Sequence, residues 1–170
     1  MSVETVFRIH LILGYVAWLL CFGAYIWPRL KAMDVFEAQR AIATLHSFRF
    51  FGLVFMVPGV VSPDLPQSFT TFAADGDFAT GVLALLALAL VRIRPLFWVL
   101  VVAFNLVGAG DILIDYYHAI MAGIPAVAGE FGAMYAIPIV YVPILMITHV
   151  ASLYLLLRQG REVQARAAAV

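Results

Sequence analysis

Five residues in one stretch of the chain carry the types and spacing that chemistry needs. Asn105, Gly108, Asp111, Asp115 and His118 follow one another at intervals of three or four. At about 100° per residue they fall on one helix face, within an arc of roughly 140°. Val, Leu, Phe and Ile occupy the opposite face. A carboxylate at membrane depth costs about 2.5–3.5 kcal/mol on insertion scales unless it is paired, protonated or wetted. Two carboxylates four residues apart also repel each other. The stripe is therefore expected to face a bundle interior or a water-filled cavity and to bind or pass a small molecule, an ion or a proton. Its plainer alternative is a hydrogen-bond network that fixes helix packing.

A second pair, His46 and Arg49, lies three residues apart. By residue count Arg49 sits roughly 20 Å below the outer interface and Asp111 roughly 13 Å below it, a gap that an extended arginine can bridge. Arg49 is expected to pair with Asp111, or with Asn105 near its own level. The alternative is that Arg49 snorkels to the cytoplasmic side. Arg49, Asn105, Asp111, Asp115, His118 and His46 are thus the expected ligand-binding set; no residue can be given a catalytic role.

The four histidines suggest another chemistry. His10 and His118 lie near the outer face, and His46 and His149 lie deeper. Histidines from facing helices can hold a b-type haem between them, so a redox protein using His46 with His149, and His10 with His118, is an alternative function. No CxxCH motif is present for covalent haem. His10, Asp115 and His118 also have the donor types of a metal site. P-loop, GxGxxG, HExxH and GxSxG patterns are all missing. The single cysteine, Cys21, excludes an intramolecular disulfide.

The elements that must position these residues follow from composition. Of 170 residues, 65% are hydrophobic and 12% charged, and the mean hydropathy is +1.02. Soluble domains run to about 25% charged, so these figures exclude a soluble monomeric enzyme, a disordered chain and a basic nucleic-acid binder. An all-α polytopic membrane bundle is expected, as one domain surrounded by lipid bilayer, in a cell membrane of the bacterial inner-membrane kind. So small a chain is expected to work as a homo-oligomer or with a membrane partner subunit. Five spans of about 20 apolar residues can be placed, over 6–27, 41–62, 78–91, 96–121 and 134–157. Asp34 is expected to cap a helix that runs on into the second span, with Glu37 completing a capping box. Asp77 is expected to cap the third, which looks lipid-facing and free of buried charge. Asp64, Asp75 and Asp77 are read as solvated or capping residues. Pro95 opens the fourth span, and Pro138 and Pro143 free carbonyls in the fifth. His10, Gly14, Ala17, Cys21 and Ala24 form a small-residue packing face on the first, with Cys21 a buried thiol.

Charge sets the expected topology. Ten basic and ten acidic residues cancel, but they are sorted by loop. Arg29, Lys31 and Arg40, then Arg92 and Arg94, then Arg158, Arg161 and Arg166 mark the cytoplasmic side, whereas 62–77 and 122–133 carry acids and no base. The N-terminus is expected outside and the C-terminus, with the basic tail 158–170, in the cytoplasm.

Overall fold

The computed structural model describes residues 1–168, without the side chains of 162, 163 and 166–168. Arg166, expected in the basic tail, lies outside the described side chains. Every regular element among the described residues is helical. Four helices are long and apolar enough to cross a membrane: Val3–Ala32, Gln67–Ala89, Arg94–Met121 and Ile137–Arg161.

Helix α1 (Val3–Ala32) starts at Ser2, whose side chain accepts the Thr5 N–H. It passes through a π turn at Phe22–Ile26, just before Pro28, which has no N–H to give the preceding turn. Asp34 caps α2 (Val35–His46) by accepting the Phe36 N–H at 2.9 Å. Glu37 does not complete the capping box; it pairs with Arg40 at 2.9 Å. After α2 the backbone tightens into a 3-10 helix over Ser47–Met56. The expected second span, 41–62, is therefore divided between the end of α2, this 3-10 helix and a turn, and it is not among the four long apolar helices.

Helix α3 (Gln67–Ala89) begins just after Pro66, eleven residues before the expected start at Phe78. It is a core helix, not a lipid-facing one. Phe69, Ala73, Asp77, Thr80, Ala84 and Ala87, spaced by three or four, are all buried. Asp77 consequently lies inside the helix and not at its cap. Helix α4 (Arg94–Met121) carries Pro95 in its first turn. Its outward face shows Val99, Leu106, Leu113 and Ile120 at seven-residue intervals, a stripe suited to lipid. The connection 122–133, expected as a loop, is mostly a second 3-10 segment (Ile124–Tyr135), kinked where Val127 and Gly132 leave helical backbone angles, that buries Ile124, Ala128 and Phe131. A π turn at Ile137–Tyr141 leads into α5 (Val142–Ala168). In this turn Val140 O accepts from Trp18 Nε1 of α1 at 2.7 Å. A Cβ on Gly14 would stand 2.0 Å from Ile139 O, so α1 packs closely at Gly14, whereas His10, Ala17 and Ala24 of the expected packing face are exposed. Cys21 is half-buried, not buried.

Two apolar clusters lie at opposite ends of the bundle. One holds Phe36, Ile42, Ala84, Phe97, Phe104 and Leu155. The other holds Phe7, Phe55, Phe69, Ile124, Phe131 and Ile137. The chain starts in the second cluster at Phe7 and alternates between the two. It ends in the first at Leu155. A polar layer occupies the level between them.

Candidate functional site

Arg49 is the centre of that layer and is 1% exposed, the largest side chain so deeply buried. The 3-10 helix puts it there. At three residues per turn, Arg49, Gly52 and Phe55 line up on one face, and all three are buried. The guanidinium then reaches across to α3, α4 and α5. Nε donates to Asp77 Oδ1 at 2.6 Å, and Nη2 donates to Asp111 Oδ2 at 2.6 Å. Nη2 also contacts Asp77. Nη1 donates to Gly108 O at 3.1 Å and lies 3.3 Å from His149 Nε2. An arginine has five N–H donors in a fixed fork. Two carboxylates, a carbonyl and an imidazole nitrogen engage all three of its nitrogens, in four hydrogen bonds.

The network fixes both buried histidine tautomers. Asn105 Nδ2 donates to Val101 O at 2.8 Å, so its Oδ1 is the atom facing His149 Nδ1 at 3.0 Å. His149 therefore carries its proton on Nδ1, and its bare Nε2 accepts from Arg49. Thr148 donates its hydroxyl proton back to Ile144 O at 2.8 Å. It can only accept from His46 Nε2, 3.0 Å away. His46 is then protonated on Nε2, and its Nδ1 is buried without a partner. Below this level Gln39 and Ser152 exchange two bonds, at 2.6 and 3.0 Å, that tie α2 to α5.

Glycines admit the fork. A Cβ on Gly108 would stand 2.5 Å from His149 Nε2 and 2.6 Å from Arg49 Nη1. One on Gly76 would stand 1.6 Å from Asp111 Oδ1. Neither position has room for a methyl group.

Of the six residues expected to bind a ligand, Arg49, Asn105, Asp111 and His46 belong to this buried layer. The Arg49–Asp111 pair forms, and Arg49 does not snorkel. Asp115 lies one turn further along α4, half-buried and with its Oδ1 unpartnered. His118 leans on the Phe72 ring, with centroids 4.7 Å apart. Asp77 is the residue that sequence reasoning missed. Asp64 and Asp75 are exposed, as expected of solvated acids, but Asp77 is buried against Arg49. Its signal was the helical spacing of the residues around it, from Phe69 to Ala87.

The histidines do not fit a bis-histidine haem. Axial ligands stand on opposite faces of a macrocycle, whereas the His46 and His149 rings stack with centroids 3.9 Å apart. His149 Nε2 is engaged by Arg49. His10 is exposed and lies 3.1 Å from the Tyr135 hydroxyl. Among the described residues no group of three or more His, Cys, Asp or Glu could hold a metal ion.

Toward the second apolar cluster the layer opens into a cavity of about 640 Å³. Its polar lining is Arg49, Asp77, Asp115, Tyr15 and Tyr116, with Arg8 also on the wall. The two tyrosine hydroxyls meet at 2.6 Å, joining α1 to α4. The second 3-10 helix contributes Ile124 and Phe131 to the wall. Exposed Ile12 and Val16 of α1 and Ile120 of α4 also line it. The opening therefore lies on the outside of the bundle along the α1–α4 seam. Asn105, Asp111, His46 and His118 do not line it.

A family profile described as a domain of unknown function, DUF8737, matches residues 6–157. No curated protein and no solved structure matches the chain.

Proposed function

The chain belongs to the DUF8737 family, and we propose that it is a five-pass membrane protein that binds or translocates a small molecule, ion or proton at an intramembrane polar pocket. The observation that carries this proposal is the cavity beside the arginine fork. Its wall is mostly apolar, yet Asp115 and Asp77 reach it from within the bundle. Pockets of this size, apolar with a few convergent polar groups, are the usual form of small-molecule sites.

Five passes are supported by the alternation of the chain between the two apolar clusters. The α2 and 3-10 segments together are long enough for one of these passes, at about 1.5 and 2.0 Å per residue respectively. Charge supports an N-terminus outside and a C-terminus inside, as in a bacterial inner membrane, because the basic connections all fall at one end. Lipid is the surrounding partner, and self-association or a second membrane subunit completes so small a chain.

One observation favours a second reading, as a structural or accessory subunit. The fork engages every Arg49 nitrogen internally, as a purely packing network would. A structure of the protein purified with its native lipids and small molecules separates the two. Pocket function predicts density between Asp115 and Phe131. A cavity filled by repacked side chains would leave the accessory role.

A further inference from the structure

Resting on the pocket function just described, we infer that the cavity takes a lipophilic cation: an ammonium head carried on an apolar body. Two features of the wall point the same way. The first is the balance of donors and acceptors. Arg49 lines the cavity, but all three of its nitrogens are already engaged, in four hydrogen bonds to Asp77, Asp111, Gly108 O and His149. Neither it nor Arg8, the other cation on the wall, which is paired with Glu4 at 2.5 Å, is free to hold an anion. The carboxylates are in surplus instead. One guanidinium faces Asp77 and Asp111, and Asp115 stands beside them with no hydrogen bond of its own to any protein group. The site holds one more carboxyl group than the fork can use, at a depth where a carboxylate needs a partner, a proton or water.

The second feature is aromatic. Phe7, Tyr15, Phe55, Phe69, Tyr116 and Phe131 all line the same cavity. Ring faces attract cations, and desolvated aromatic cages are a recurring way to hold an ammonium group. A bare metal ion would gain little from these walls and finds no cluster of ligands among the described residues. An amine with a hydrocarbon body uses both halves of the site. Its head sits at Asp115, and its body lies among the rings. The opening toward lipid along the α1–α4 seam suits a ligand that arrives dissolved in the bilayer.

The test uses three probes with one apolar cage and different heads: adamantylamine, adamantanol and adamantane carboxylate. Binding to the full chain in lipid nanodiscs is measured by calorimetry, with empty discs subtracted. The amine is expected to bind about tenfold or more tightly than the alcohol, and the carboxylate not to bind. Asp115→Asn, nearly the same shape, should remove the preference for the amine and bring its affinity down to that of the alcohol. A merely structural Asp115 would instead weaken all probes alike and lower the melting temperature. Equal binding of the three heads overturns the cation assignment while the pocket stands. Binding of none above empty discs overturns both.

Discussion

Arg49 and Asp77 lie 28 residues apart in sequence, and Arg49 Nε donates to Asp77 Oδ1 at 2.6 Å inside the bundle. The contact joins a 3-10 helix to the middle of α3 and leaves the other edge of the fork for Asp111 on α4. A charged network this deep is stable only while every member has its partner.

Removing one member should therefore cost more than removing all. Arg49→Met leaves two carboxylates unpaired and should destabilise by about 3–5 kcal/mol. Arg49→Lys keeps the charge but has only three donors, so it should fall between that variant and the parent. The triple change of Arg49→Met, Asp77→Leu and Asp111→Leu should recover most of the loss. Thermal unfolding in detergent ranks the four proteins. A triple variant no more stable than Arg49→Met would show that the fork is not a coupled unit.

Close approach sets a second expectation. Gly76→Ala and Gly108→Ala each push a methyl group into Asp111 or the Arg49–His149 contact, and overpacking of this kind costs about 1–3 kcal/mol. Gly23 has nothing within 4 Å of its Cβ position, so Gly23→Ala should be neutral or slightly stabilising. Melting temperatures of the three variants give the comparison.

The tautomers can be read directly. Nitrogen-15 spectra of histidine-labelled protein should show His149 protonated at Nδ1 and His46 at Nε2, both neutral. In Asn105→Ala, His149 loses the acceptor that fixes its tautomer, and its signal should become a mixture. An unchanged His149 signal in that variant would remove Asn105 from the role given to it.

Topology is testable with single cysteines on a Cys21→Ala background. Met33→Cys should be labelled only from the cytoplasmic side and Asp64→Cys only from outside. Both positions are exposed in connections between helices. Labelling of both from one side would mean that 35–56 does not cross the bilayer.

What was legible in the sequence was what local pattern encodes. Hydropathy marked the membrane class and placed five spans, because the span length follows from bilayer thickness; four of them fall in long apolar helices of the structure. Helical spacing put Asn105, Gly108 and Asp111 on one face. Residue counting brought Asp111 within reach of an extended Arg49. Asp77 followed no such rule. It was read as a cap or a solvated acid, because a carboxylate near an apolar run looks the same whether it caps a helix or sits buried within one. Only the tertiary structure decided, by carrying α3 back to Gln67 and setting Arg49 opposite Asp77. The histidines were equally undetermined. Their depths suggested ligand pairs, but the partners that Asn105 and Thr148 offer turn His149 toward Arg49 and stack His46 on it. Period and hydropathy are properties of a segment and survive in one dimension. Which donor meets which acceptor depends on several segments at once, and that is settled only when they pack.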